Sequence, residues 1–546
     1  MSLRNRSVLP IIALLSLSFL VGCGGSGSTP STPPPTGGFS NTNLSGTYVF
    51  STSGQDASGL GFFIAIAGTF TANGSGGITG GTISANDPVG GVLSGQAVTG
   101  GTYNVGVDGR PASSSGLLTL QTAAGNFTFD FVLTSSEHGL ITLYDPNNGT
   151  GSGTLDLQTT VTQASIDSQS YAFNVNGIGS ANTSTGAETS YSSVGGFTLD
   201  ANGSIGVTTS GVQDVNSNGI SVCGPNGCTI NSGSISLASV PGIATIATNA
   251  GTFNFDVYPV DPSHLKLIEV DAFPVLAGDL FTQSSSIPTG NNVFTVAGFD
   301  SAVPGPFTAA GLIDTDGSGN IKTDSVEDIN DAGVSSEVGS VAGNATISGT
   351  YTALSSGRSV MTLSGFVNGS NSGGQFAAYP SSGGLQLLEI DNAGVTGGVA
   401  YAQGASPTLA TNQGYGMNLS GTNSVEEDDI AEFTYNNGTF SSGHIDFNDD
   451  GSTNFDLNFS STYAADSTVS GRAVVTPGAN GLNLVSYVIG NSTGPAAVFV
   501  ETDNNQVGLG ALVTQTASAK SNAAMQNLTV LRAVAGSKNA LQRKKK

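Results

Sequence analysis

Three segments of this 546-residue chain read Asp-x-Asn-x-x-Gly: Asp214-Val215-Asn216-Ser217-Asn218-Gly219, Asp328-Ile329-Asn330-Asp331-Ala332-Gly333 and Asp446-Phe447-Asn448-Asp449-Asp450-Gly451. Oxygen-bearing side chains at alternate positions before a Gly form the opening half of a calcium loop, where they converge on a hard cation. Asp214, Asn216, Asn218, Asp328, Asn330, Asp446, Asn448 and Asp450 are therefore the candidate ligands. The closing bidentate Glu is missing, because Pro225, Gly339 and Leu457 stand six residues past the three Gly. Without it, the same residues serve equally as Asx turns at strand ends with no metal. Asp314-x-Asp316-x-Ser318-Gly319 resembles such a loop too, but it falls where a hairpin turn is predicted.

Other reactive residues are sparse. Glu269 with Asp271, Glu389 with Asp391, and Glu501 with Asp503 are two apart, so each pair shares one face of a strand, a conceivable glycosidase geometry. A pair that recurs along the chain is more simply scaffold. The three His residues, His138, His264 and His444, have no recognisable Ser partner, and the first two fall in predicted turns. The run Glu426-Glu427-Asp428-Asp429 reads as a solvated loop. Catalysis is not expected.

The residues that must position these groups repeat. Asp145…Gly153…Gln158, Asp271…Gly278…Gln283, Asp391…Gly398…Gln403 and Asp503…Gly510…Gln515 mark four copies of one unit. Each unit opens on an aromatic strand, as at Tyr48-Val49-Phe50, Tyr171-Ala172-Phe173, Val293-Phe294 and Tyr415-Gly416-Met417. Asn-Gly turns follow at Asn73-Gly74, Asn202-Gly203 and Asn437-Gly438, a strong hairpin signal because both residues tolerate positive φ. Midway stands Gly-Arg, at Arg110, Arg358 and Arg472, except in the second unit, where Gly242-Ile243 appears. The first unit carries Ser84 where the others have the Asp of Asp-x-Asn, but keeps Asn86.

Later strands alternate, with Phe127, Phe129 and Phe131 on one face, Phe253, Phe255 and Val257 on another, and Phe455, Leu457 and Phe459 on a third. Period two with one polar face predicts antiparallel sheet, wet on one side. In the first unit strands are expected near residues 48–53, 62–72, 78–85, 101–107, 117–122, 127–134, 140–144 and 154–158. Eight short strands without a crossover-sized gap predict an all-β fold. Each unit would be an eight-stranded up-and-down antiparallel barrel, closed so that no edge is open. A Greek-key β-sandwich is the alternative. The predicted organisation is residues 1–22 signal, 23–40 tether, 41–160, 161–285, 286–405 and 406–516 β-domains, and 517–546 a basic, weakly structured tail.

The composition fits this. Charged residues make up 10% of the chain, and 79 residues are Gly. Between the signal and the tail only five basic residues face all 38 acidic ones, a net charge of −33. Such a surface repels phosphate backbones, so nucleic acid is not an expected partner.

Arg4 and Arg6 precede a short apolar stretch ending Leu20-Val21-Gly22-Cys23, the form of a secretory signal and too short to span a bilayer comfortably. Its last four residues resemble a bacterial lipobox. The resemblance implies that Cys23 is acylated, a two-signal membrane anchor, with residues 24–38 as a Gly/Ser/Thr/Pro tether. With Gly24 after it rather than Asp, an outer-membrane or cell-surface position is implied. An exported chain meets oxidising conditions, so Cys223 and Cys228, flanking a tight Gly-Pro-Asn-Gly loop, are expected to form a disulfide. From about residue 20 to 516 the chain resembles the Gly/Thr-rich repeat lipoproteins of soil bacteria, with lines of the form Gly-Thr-Tyr-x-Phe … Gly-x-Phe-Thr-x-x-Asn-Gly. Any likeness to lipocalins is architectural only, since their Gly-x-Trp signature cannot occur in a chain without Trp. The expected function is a non-catalytic surface binding or structural module, with a cell-surface or extracellular polymer as partner. The alternatives are a carrier of a small apolar ligand inside a barrel and, less favoured, an extracellular hydrolase. No cofactor is expected apart from calcium.

Overall fold

The computed structural model describes residues 38–206, 209–300, 305–339, 347–368, 371–392, 394–422, 425–491, 494–517 and 525. Cys23, the expected signal, most of the expected tether and nearly all of the basic tail lie outside the described residues.

Four closed antiparallel barrels follow one another along the chain. In barrel 1 the strands are Ser45–Gln55, Phe63–Asn73, Gly77–Asp87, Gly91–Thr102, Leu118–Thr122, Gly125–Leu133, His138–Asp145 and Gly149–Leu157, in up-and-down order with the eighth paired to the first. Barrel 4 repeats this from Gln413–Thr422 to Val507–Thr514. Barrel 2 runs from Ser170–Asn182 to Val275–Thr282 and closes through the short pairing of Gly211–Ser217 with Cys228–Ser236. Barrel 3 runs from Gly290–Asp300 to Gly394–Ala402, with Val334–Gly339 as an outlying hairpin arm on Asn320–Asp331. The sandwich alternative is thereby excluded. Strand four of barrel 1 lies at Gly91–Thr102, upstream of its expected place, because the strands before it run 11 residues to tight turns.

The barrel interiors are filled by side chains. Tyr48, Phe50, Phe70, Phe129 and Phe131 are fully buried in barrel 1, and Phe50 meets Phe129 edge-on at 5.1 Å. Each such ring contributes roughly 1.5–3 kcal/mol by leaving water, and the edge-on geometry suits the ring quadrupoles.

The repeated Asp, Gly and Gln each have a geometric role. The Asp organises the turn between strands seven and eight: Asp145 Oδ1 accepts from Asn147 N at 3.0 Å, and Asp503 Oδ1 from Asn505 N at 2.8 Å. The Gly lies on the closing strand against strand one. A Cβ there would stand 1.8 Å from the Ser51 carbonyl oxygen at Gly153, 1.9 Å from that of Asn174 at Gly278, and 2.0 Å from that of Asn418 at Gly510. No other residue lets the barrel close so tightly. The Gln crosses to the next barrel. Gln158 Nε2 donates to Pro259 O at 2.7 Å, Gln403 Nε2 to Val488 O at 2.9 Å, and Gln515 Nε2 to Asp108 O at 2.8 Å.

Those crossings show that the barrels form a ring. Strands one to three of each barrel pack on strands six to eight of the next, and barrel 4 packs the same way on barrel 1. This head-to-tail contact closes after four copies within one chain, as a heterologous interface does when its rotation completes a circle. The expectation of a sheet wet on one side is therefore corrected. At the seams both faces are buried, as where Val49, Ala65 and Ala67 meet Tyr258, Ile268 and Val275. Solvent reaches mainly strand four, whose residues in barrel 1 are almost all exposed or half-exposed.

Candidate functional site at the seams between barrels

The Asp-x-Asn-x-x-Gly segments sit on strand three of barrels 2, 3 and 4 and face the next barrel. Asp214 is fully buried, and Arg358 grips it in a bidentate fork, Nε to Oδ2 at 2.6 Å and Nη2 to Oδ1 at 2.7 Å. Tyr379 Oη donates to the same carboxylate at 2.7 Å. One seam on, Arg472 holds Asp328 through two 2.8 Å bonds, with Tyr487 adding its hydroxyl. At the ring-closing seam Arg110 Nη2 donates to Asp446 Oδ2 at 2.6 Å. Such charge-assisted forks are the strongest of the ordinary hydrogen bonds. Burial works against the Arg358 and Arg472 charges, but their carboxylate partners outweigh it and hold both guanidinium groups above their ordinary value.

The Asn two residues on does a separate task. Asn330 Nδ2 donates to the carbonyls of Glu501 at 2.9 Å and Gln506 at 2.8 Å. Asn216 Nδ2 reaches Glu389 O and Gly394 O, Asn448 Nδ2 reaches Leu143 O and Gly149 O, and Asn86 Nδ2 reaches Glu269 O and Asp271 O. In every seam this amide ties strand three to the turn between strands seven and eight of its neighbour. Positions five and six, Asn218 with Gly219 and Asp450 with Gly451, have φ of 52° and 81°, and of 46° and 82°. A type I′ hairpin turn requires that double positive φ.

For calcium, the three Asp carboxylates are already engaged. Both oxygens of Asp214, Asp328 and Asp446 accept from Arg or backbone groups. Among the described residues no group of three or more His, Cys, Asp or Glu stands where it could hold a metal ion.

Sequence reasoning singled out the Asp and Asn residues but assigned no role to the three Arg or the two Tyr. A signal for them exists. The unit that lacks Gly-Arg follows the unit in which Ser84 replaces the Asp, as a pairwise contact between successive units demands. In that seam Ser84 Oγ instead bonds Asp256 Oδ2 at 2.5 Å and Tyr258 Oη at 2.7 Å. Pro241, directly before Gly242, stands in register where Arg472 stands opposite Tyr487. In the ring-closing seam Val132 replaces the Tyr, and buried Asp130 lies beside Asp446 and Arg110 instead. Burial and the neighbouring Asp446 push the Asp130 carboxyl well above its ordinary value.

Two expectations are corrected. Glu426-Glu427-Asp428-Asp429 is not a solvated loop. It opens strand two of barrel 4, Glu426–Tyr435, and all four residues are buried. Burial, with Glu427, Glu501, Asp428 and Asp449 nearby, raises Asp429 far above its ordinary value. Nor do His138 and His264 lie in turns: each begins a strand and pairs with an Asp, His138 Nδ1 to Asp156 Oδ1 at 2.6 Å and His264 Nε2 to Asp279 Oδ1 at 2.7 Å. Buried Lys266 joins the two pairs across the seam between barrels 1 and 2, 3.2 Å from Asp156 and 3.7 Å from Asp279. Burial alone would raise both carboxyls, but Lys266 and the His partners together outweigh it and lower them.

The carboxylate pairs are part of the scaffold: Glu269 Oε1 caps Asn254 N at 3.0 Å, and Glu389 Oε2 accepts from Thr396 Oγ1 at 2.8 Å. Cys223 and Cys228 are joined by a disulfide in the loop beside the Asp214 fork, where a Cβ on Gly227 would stand 3.4 Å from Arg358 Nε. The chain matches no protein-family model and no curated protein.

Proposed function

We propose that the chain is an exported, lipid-anchored, non-catalytic module that presents a rigid four-barrel ring at a bacterial surface. The observation that carries this reading is where the polar residues go. The forks at Asp214, Asp328 and Asp446, and the His-Asp-Lys network at Lys266, are all buried between barrels. These groups are thereby committed to holding the ring together, since a buried charge left without its partner is strongly destabilising. A carrier would need room inside a barrel, yet the void among Phe294, Met361, Phe366 and Phe376 of barrel 3 measures about 10 Å³, room for one water at most.

The anchor rests on Cys23 and is tested directly. The full chain, produced in a bacterium fed an alkyne fatty acid, should incorporate label in the native form and none as Cys23→Ser. Protease added to intact cells should remove the labelled protein. Native chain recovered unlabelled from the periplasm would refute the anchoring, and measurable glycoside or ester turnover would refute the non-catalytic assignment.

A further inference from the structure

Barrels 1 and 4 both carry a bulge on strand four; in barrel 1 it falls at Ser94-Gly95, where Gly95 has φ of 59°. Strand four of barrel 4, Ser452–Ala465, carries a bulge, because Ile445 pairs with Leu457 while Phe447 pairs with Asn454. Asp456 takes the irregular position, with φ of 62°, and its amide donates to Asp446 Oδ1. A bulge of this kind re-aims a side chain. By sequence Phe455 shares a face with Leu457 and Phe459. In the structure Leu457 and Phe459 pack in barrel 4, while Phe455 turns out, 5.5 Å from the Arg110 guanidinium and over barrel 1.

There Phe455 forms one wall of a cleft of about 600 Å³ between barrels 1 and 4. The largely buried Tyr144 lies behind the cleft floor, and Asn126, Asn147, Asn148 and Thr453 supply most of the polar lining. The volume lies within the range of small-molecule sites, which combine apolar surface with a few placed polar groups. Its chemistry narrows the ligand. No Lys, Arg or His lines the cleft, so an anion would find no counter-charge. Asp145, the one carboxylate there, already accepts from Thr128 N, Asn147 N and Asn148 Nδ2, so a cation is not invited either. The exposed amides of Asn126 and Asn147 would strand a purely apolar ligand against polar groups. Amide groups both donate and accept, matching hydroxyl groups, and an aromatic wall suits the apolar C–H faces that sugars carry between them.

We infer that this cleft binds a neutral oligosaccharide, with Phe455 as the platform and the exposed amides of Asn126 and Asn147 reading hydroxyls. The inference deepens the surface-module reading by naming a ligand class. Its test is saturation-transfer NMR of the purified full chain with millimolar maltotriose, cellotriose and chitotriose as probes. At least one should receive saturation from the protein, and Phe455→Ala should weaken it at least tenfold. Asn147→Ala, an exposed change that spares the seam, should also weaken binding with an unchanged melting temperature. Silence from all three sugars, or binding indifferent to both substitutions, overturns the cleft. The two readings fail separately: a chain labelled at Cys23 that binds no sugar loses only the cleft, and an unlabelled chain that binds sugar loses only the anchor.

Discussion

Replacing Arg358 with Met removes two of the three bonds that Asp214 receives from its neighbour barrel and leaves a fully buried carboxylate with only the Tyr379 hydroxyl. Breaking a buried pair by removing one partner costs about 3–5 kcal/mol, because an uncompensated charge stays in low dielectric. The effect on melting depends on how much of the ring unfolds at once. With about 2.1 cal/mol/K of unfolding entropy per residue, a cooperative ring of about 480 residues has ~1 kcal/mol/K, so the loss lowers Tm by about 3–5 °C. If one barrel of about 115 residues melts alone, the same loss lowers its own transition by about 12–20 °C. Differential scanning calorimetry of the full chain distinguishes the two. Since the barrels bury their seams in one another, the single transition with the smaller shift is expected. The double change Asp214→Ser with Arg358→Met copies the neutral Ser84–Tyr258 contact of the first seam and should recover to within about 1–2 kcal/mol of native. An Arg358→Met protein that melts within 1 °C of native (about 1 kcal/mol), or a double mutant worse than either single one, would refute the reasoning.

Burial pushes Asp428 up to about 7 and Glu269 up to about 9. Both hold protons more tightly folded than unfolded, so their contribution is full below about pH 4 and is lost as pH rises through these values, by up to about 1.4 kcal/mol per pH unit for each group. Melting curves should show lower stability at pH 9 than at pH 5, and Asp428→Asn should remove the part lost by about pH 7; a Tm that climbs steadily over that range contradicts this. Asn330→Ala strips the donor from the Glu501 and Gln506 carbonyls at the seam between barrels 3 and 4, and should cost about 1–3 kcal/mol in urea titrations, whereas the same change at exposed Asn458 should cost well under 1 kcal/mol. Gly153→Ala places a methyl 1.8 Å from the Ser51 carbonyl; barrel 1 should open between its first and last strands, seen as rapid hydrogen exchange there, and native-like protection would show that the strands can part at little cost. Because Asp214, Asp328 and Asp446 are already engaged, millimolar calcium should leave Tm unchanged; a rise that grows with calcium concentration would be the mark of binding to the folded state.

The sequence by itself determined the number of units, the antiparallel alternation and the closed eight-stranded plan. Those features depend on local periodicity and on turn residues such as Asn73-Gly74 and Asn437-Gly438, which carry their conformational preference wherever they lie. It also marked Asp214, Asn216, Asp328, Asn330, Asp446 and Asn448 as special, without revealing why. Their partners, Arg358, Arg472, Arg110 and the turn carbonyls of the following unit, stand more than a hundred residues away in the chain, and only the ring brings them into contact. The same closure turned the acidic run at Glu426 from a predicted solvated loop into a buried strand. A bulge at Asp456 took Phe455 off the face that its spacing assigned. Period two tells which side chains share a face. Whether that face meets water, a core or another barrel is decided by what packs against it, and that was fixed only when the fourth barrel met the first.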